Sequence, residues 1–367
     1  MANTDEPKVA EEPSFSFKEW EKWEKSDRER QRNLVRRENE RLAAEFAGLP
    51  PLPPRVPPDN SSRETLNDEI RGFYHDCARG DLEAVRRYVE QHQPSVGYLQ
   101  YGVNEAASHG HVEVVRYLFH AGAEFTSHVL YHACMNPSLR LFKCLVEEKS
   151  WHPNQAMHAS GAVALPYCIA DEELLRYLLD LGADPNLGTH RTGFNPGVPT
   201  DRRSGDALEN AAAHSEPHII DLLISYGARL EFAPAVMHRA VLAHSPNKND
   251  RRAMVLHLLE NHCVSINGGD SRTQPGYGDT PMMAAINNGK VAAAEMLLEV
   301  GASPNSTPVQ PAWFKELVEK VKARKGEAAF RADILAARKK GTPRGKYPMP
   351  YDVRIHGKLD EGGGSSA

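Results

Sequence analysis

Seventeen histidines and five cysteines are the side chains of this 367-residue chain best suited to holding a metal or carrying a proton. Two spacings invite a zinc reading: His109-Gly110-His111, and His128, His132 and Cys134 within HVLYHAC, where the first two would share a helix face. A third stretch, GTPRGKY from Gly341 to Tyr347, has the glycines and lysine of a phosphate-binding loop. It is one residue short and follows a basic helix, not a strand, so nucleotide binding is not expected. Neither GxSxG nor HExxH occurs, and five cysteines, an odd number without a CxxC pair, do not make a disulfide framework. The expectation is therefore a chain with no catalytic residue, no cofactor and no metal, whose histidines and cysteines are explained by the elements that carry them.

Composition narrows the class. With 40% hydrophobic and 25% charged residues the chain can bury a sizeable core, and no apolar run approaches the ~18 residues that span a bilayer. The first residues, MANTDEPKVAEEPS, are polar and acidic where a secretory signal is apolar, so the cytosol or nucleus is the expected compartment and no membrane is expected as a partner. The net charge of −5 hides an asymmetry. Residues 64–310 hold 19 Lys and Arg against 29 Asp and Glu, while residues 311–347 hold 11 against 4. An acidic body repels phosphate, which argues against nucleic acid as its partner.

Three stretches repeat one another: CARGDLEAVRRYVE (Cys77 to Glu90), YGVNEAASHGHVEVVRYLFHAGA (Tyr101 to Ala123) and DTPMMAAINNGKVAAAEMLLEVGASPN (Asp279 to Asn305). Each reads as a short helix with small residues, a Gly turn and a second helix with apolar residues at i, i+3, i+4 and i+7. The ending recurs as YLLDLGADPN (Tyr177 to Asn186) and LLISYGA (Leu222 to Ala228), with divergent copies at His128 to Val146, Ala235 to Val241 and Met254 to Glu260. Gly122, Gly182, Gly227 and Gly301 stand where a left-handed residue would end the second helix, and Thr280-Pro281 reads as a helix cap followed by proline at the first helical position.

This pattern resembles the ankyrin repeat, T-P-L-H-x-A-A, two residues, G-H, then x-E-V-V-x-x-L-L-x-x-G-A-D-x-N. Ala106 and Ala107 fall on its small pair and Gly110-His111 on its turn. The first Leu slots of the second helices are Tyr88, Leu118, Leu145, Leu178, Leu223, Leu258 and Leu297, hence seven units at spacings of 30, 27, 33, 45, 35 and 39 residues, around the family's ~33. The 45 reflects an insertion at about 187–205, and HSPNKND (His244 to Asp250) lengthens the sixth turn. The resemblance implies an all-α solenoid over residues 64–310. It also makes His111 a structural turn residue and puts Cys77 and Cys134 in small-residue slots.

Residues 1–17 and 341–367 are expected to be disordered, and 18–48 to be a charged helix with Trp20 and Trp23. Residues 49–63 read as a proline-rich linker, and 311–340 as a basic helical pair capping the stack. The linker is read first as a polyproline II spacer. Leu49, Pro50, Leu52, Pro53 and Arg55 also match ligands of Src-homology-3 or WW domains. Arg324-Lys325 with Arg338-Lys339-Lys340 resembles a bipartite nuclear import signal, with a solvated helix face as the plainer reading.

The resemblance implies a protein-interaction scaffold that binds a protein on its concave first-helix face and loops. Carried onto this sequence, that face includes Glu105, Ser108, His109, Asn136, Asn210, His214, Arg239, Ala284, Asn287 and Asn288. Loop tips add Tyr98, Trp151, Arg191, Phe194, Arg202 and Tyr277. The insertion is the favoured spot, because extra loop length on a regular scaffold more often serves function. The alternatives are a ligand or enzyme site hidden there, near His190, Asp201 and His214, or self-association through the charged helix or the basic tail.

Overall fold

A helix pair with one apolar stripe must lean on a neighbour to bury it, and this chain stacks such pairs in two rows. The computed structural model describes residues 29–50 (apart from 31, 35, 38 and 39), 68–157, 160–189, 202–269, 280–307 and 310–340. The first row is α1 (Asp68–Arg79), α3 (Val96–Ser108), α5 (Ser127–Ala133), a 3-10 turn (Leu165–Tyr167), α8 (Asp206–His214), α10 (Val236–Ala243) and α12 (Pro281–Asn287). The second row is α2 (Leu82–His92), α4 (Val112–His120), α6 (Leu139–Lys149), α7 (Glu172–Asp180), α9 (Pro217–Ser225), α11 (Arg252–Glu260) and α13 (Val291–Val300). Most neighbours pack along the rows and across the pairs, and the described residues form seven consecutive units. Six of the seven first Leu slots, from Leu118 to Leu297, are fully buried, and Tyr88 is partly so.

Local sequence explains where the helices start and stop. Asp81, Thr126, Ser138, Asp171 and Thr280 accept hydrogen bonds from main-chain N–H groups of the first turn. Successive units are then tied edge to edge by side chains that bond main chain. His111 Nε2 donates to Ala78 O at 2.8 Å, close over Gly80. Asn154 bridges Gly182 O (3.0 Å) and Asp184 N (2.8 Å), Asn186 bridges Gly227 O (2.9 Å) and Arg229 N (2.8 Å), and Asn267 accepts from Ser303 N at 2.9 Å. Replacing His111 by Ala should cost about 1 kcal/mol, one net hydrogen bond, lowering the thermal midpoint by about 2–4 °C. A calorimetric scan reads this directly, and an unchanged midpoint would remove His111 from the structural account.

Turn length corrects one sequence expectation. In four units the residue five places after the first Leu slot is an alanine whose N–H returns to that Leu: Ala123, Ala183, Ala228 and Ala302 bond Leu118, Leu178, Leu223 and Leu297 at 2.8–3.0 Å. The third unit has one residue more. Ser150 takes the left-handed conformation (φ 51°), and Trp151 N–H returns to Leu145 O at 3.3 Å. Trp151, expected at an exposed loop tip, therefore drops into the alanine slot, 3% exposed and tilted against Phe142 with ring centroids 5.3 Å apart. Ala284, expected on the exposed face, is 8% exposed, because α12 packs against α10.

After α13 the chain adds α14 (Ala312–Lys325) and α15 (Glu327–Lys340), which pack on α13 and α11 and bury Phe314, Val321 and Phe330. Their basic residues meet the acidic array. Arg324 pairs with Glu295 (3.1 Å) and Glu299, Lys340 with Glu260 (2.5 Å), and Lys325 bonds Glu299 O (2.7 Å) at the negative end of α13. Gly301 has φ 99°, and a Cβ there would lie 2.5 Å from Asp333 O, so only glycine lets α15 cross the α13 terminus. Four cysteines, Cys77, Cys134, Cys144 and Cys168, are buried, and burial pushes the Cys77 thiol up to about 12.

Residues 1–48 with 195–201 form a separate unit. The described part of it, between 29 and 45, is helical with i, i+4 pairs such as Arg41–Glu45 at 2.6 Å. Leu42 is buried and Leu34 exposed. Trp20 and Trp23 lie outside the described residues, as do the terminal segments expected to be disordered.

Candidate functional site

The fourth unit lacks a first helix. The stretch SGAVALPYC carries Pro166 and folds only as the 3-10 turn Leu165–Tyr167, standing where other units place helices of 7 to 13 residues. The vacancy in the first row is a recess of about 380 Å³. Its walls are Ala162, Val163, Pro166 and Tyr167 on the turn side, Asp206, Glu209 and Asn210 of α8, Arg239 of α10, and Thr189 at the root of the insertion.

That root is pinched by one isolated bridge. Leu187 and Arg203 form an antiparallel bridge, Gly188 N–H donates to Arg202 O at 3.2 Å, and Leu187 is buried. Asp206 accepts from Thr189 N at 2.9 Å, which fastens the root to the N-terminus of α8. Glu209 is only 3% exposed, and its carboxylate accepts from Ala235 N at 3.3 Å. Asn210 donates to Pro166 O at 3.0 Å and accepts from Arg239 Nη2 at 3.4 Å, while the Arg239 side chain reaches solvent. Arg202 donates to Gly161 O at 3.3 Å. Its Nε is buried without a partner, and burial depresses its pKa. Tyr167, 47% exposed, stands at the rim, its phenol pushed up first by burial and then by the thiol and acidic groups nearby.

Of the residues singled out by sequence, Asn210, Arg239 and Arg202 are gathered at or beside this recess. Tyr98, Glu105, Ser108 and His109 lie on the second unit and do not line it. Ser108 Oγ donates to Glu105 O at 2.9 Å, and the His109 ring stacks on His111 with centroids 6.2 Å apart. Asn136, His214, Asn287 and Asn288 are exposed on their own units, with Asn288 donating back to Ala284 O at 2.8 Å. Leu49 and Pro50 are half-buried. Leu52, Pro53, Arg55, His190, Arg191, Phe194, Asp201 and Tyr277 lie outside the described residues.

Sequence reading missed an aromatic stripe on the first row. Tyr101 (59% exposed), Tyr131 (53%), Met135 (63%) and Tyr167 point outward, and Tyr74 tilts against Tyr101 at 5.1 Å. Tyr131 on α5 and Met135 in the turn just after it, four residues apart in LYHACM, were the available signal for an outward apolar patch.

Two rows of helices with side chains on one row left open define a helical-repeat protein. The family pattern described as ankyrin repeats, in three copies, matches residues 103–189, and the single ankyrin repeat matches 277–307. The chain is also 25% identical over 124 residues to an ankyrin repeat and KH domain-containing protein of Caenorhabditis briggsae, across 34% of this chain and 4% of that protein. It thus spans a small fraction of that relative's length. The chain therefore carries ankyrin repeats, over 103–189 and 277–307. Such repeats are in general protein–protein interaction modules and typically do no chemistry of their own. Among the described residues, no helix is long and apolar enough to cross a membrane.

Proposed function

We propose that this chain is an interaction scaffold that grips a protein partner on the first-row face, with the recess of the fourth and fifth units as its anchor point. The observation that carries this reading is the exposure of Tyr101, Tyr131, Met135 and Tyr167 on the second, third and fourth units, with Tyr167 at a polar recess also lined by Arg239. Tyrosine buries large area at low entropic cost, and tyrosine and arginine are enriched among measured hot spots. The acidic body favours a partner carrying basic and apolar side chains. The basic residues of α14 and α15 are engaged with Glu260, Glu295 and Glu299, which favours a structural role for them over an import signal. Leu49 to Pro58 serves this scheme as a spacer.

The test uses the full chain. A partner captured by the wild type is titrated against Tyr167→Ala, with circular dichroism to confirm the fold. Loss of an anchor residue of about 2 kcal/mol weakens the complex about 30-fold. Unchanged affinity would move the contact away from the recess.

A further inference from the structure

The second row carries a cluster that the interaction face does not use. Asp221 lies on α9, His257 on α11, and His262 just beyond the end of α11. Both imidazoles donate from Nε2 to the same carboxylate oxygen, Asp221 Oδ1, at 2.9 Å and 2.7 Å. The three ligand atoms lie within 4.8 Å of one another. The two rings meet edge to face, 5.0 Å apart at 70°, so their nitrogens converge and do not stack. The imidazoles are 14% and 15% exposed and the Asp221 side chain 50%, which leaves one side of the cluster open to water. Burial alone would raise the Asp221 carboxyl, but the two imidazole hydrogen bonds outweigh it and hold the group below its usual value.

The sixth unit's turn is built to present His262. As in the third unit, it is one residue longer than the common form. Cys263 is left-handed (φ 54°), and Val264 N–H returns to Leu258 O at 2.9 Å. His262 thereby occupies the place, four residues after the first Leu slot, that Gly122, Gly182, Gly227 and Gly301 fill elsewhere. A side chain in that slot reaches back over the preceding unit, where Asp221 waits.

We propose that Asp221, His257 and His262 bind a divalent transition cation of the zinc class, with water in the fourth position, and so clasp the second-row helices of the fifth and sixth repeats. Two imidazoles and one carboxylate match that class, whereas calcium and magnesium prefer all-oxygen sites. Bonds of 2.0–2.2 Å place tetrahedral ligand atoms about 3.3 Å apart, a spacing these atoms reach by small side-chain shifts. Each imidazole then carries its proton on Nδ1 and gives its Nε2 lone pair to the ion. His257 Nδ1 already faces the Asn261 side-chain amide at 3.2 Å, and once that amide is turned its oxygen accepts the Nδ1 proton and fixes the ring.

Full-length protein stripped by a chelator is titrated with Zn²⁺, Mg²⁺ and Ca²⁺ by calorimetry and by thermal unfolding. The expected result is one Zn²⁺ per chain, no competition from Mg²⁺ or Ca²⁺, and a thermal midpoint about 5 °C higher at a zinc concentration 100 times Kd. H257Q and H262Q should each weaken binding at least about 100-fold and abolish the midpoint rise while remaining folded by circular dichroism. D221N, which keeps an oxygen in place, should weaken it less. C263S controls for the exposed thiol beside His262, and H75Q for background imidazole binding; both should bind as the wild type does. Equal zinc affinity in the wild type, H257Q and H262Q, or binding lost in C263S, would overturn the site and leave the cluster a hydrogen-bonded staple between repeats.

Discussion

Replacing Arg251 by Met should be among the most damaging single changes in the array, at about 3–4 kcal/mol. Arg251 is 4% exposed, and its fork donates to Ala212 O at 3.1 and 2.9 Å, to Ser215 O, and to Asn249 Oδ1 at 3.3 Å. The main-chain carbonyls belong to the C-terminal end of α8, where no intrahelical partner exists and a cation is favoured. Asn249 adds bonds to Ala213 O (3.1 Å) and Ala243 O (3.2 Å), so the lengthened sixth turn works as a cap for α8 and α10 together. Methionine fills the stem's volume but leaves buried carbonyls dry, and a hydrogen bond to a charged group contributes about 1.5–3 kcal/mol. Lysine keeps the charge but not the planar fork, and should restore less than half of the loss. Urea unfolding measures the total. Amide exchange should show α8 to α11 opening first, since each repeat is held by its neighbours. A loss below about 1 kcal/mol would mean that water reaches those carbonyls.

Gly205→Val should cost about 3 kcal/mol for a different reason. Gly205 has φ −92°, a conformation open to any residue, so glycine is not required here by backbone freedom. It is required by space. A Cβ would lie 2.3 Å from Ala233 Cα and 2.6 Å from Ala233 N, main-chain atoms that cannot rotate away. Gly205 also starts α8 directly after the root of the insertion, so parting it from Ala233 deforms the wall of the recess where Glu209 meets Ala235. Chemical denaturation should show the loss, and partner binding should weaken with it. Gly182→Ala is the contrasting control. There φ is 86° and nothing stands within 4 Å, so only conformational strain of about 1–2 kcal/mol is expected. If the two variants cost the same, steric contact with Ala233 does not explain Gly205.

How much of this was legible in the chain depends on the range of the signal. The pairs around Gly110-His111 and Thr280-Pro281 announce themselves because periodicity, small residues, caps and turn glycines are local properties. They act within one hairpin. Trp151 was misread because its fate hangs on one extra residue in the turn, which shifts it from a rim position to a core slot. The role of Arg251 was not legible, since its carbonyl partners lie 36 and 39 residues earlier. The Asp221, His257 and His262 cluster escaped notice for the same reason: the carboxylate is 36 residues from the nearer imidazole. No motif spacing encodes that distance. Asn210 and Arg239 were expected on the first-helix face and Arg202 at a loop tip, and all three stand at or beside the recess, while the insertion's described residues form only its edge. The opening itself comes from a helix the fourth unit does not have.

By itself, then, the sequence determined the repeat pattern, the all-helical stack and the identity of the buried stripe, because each hairpin's pattern is written within about thirty residues and copied along the chain. Only the tertiary structure decided which side chains of different copies meet: the recess between a shortened turn and α8, the Arg251 cap, and the clasp of Asp221 with two histidines. Those meetings depend on the register of one repeat on the next, and register is set by turn lengths and close main-chain contacts that no single repeat contains.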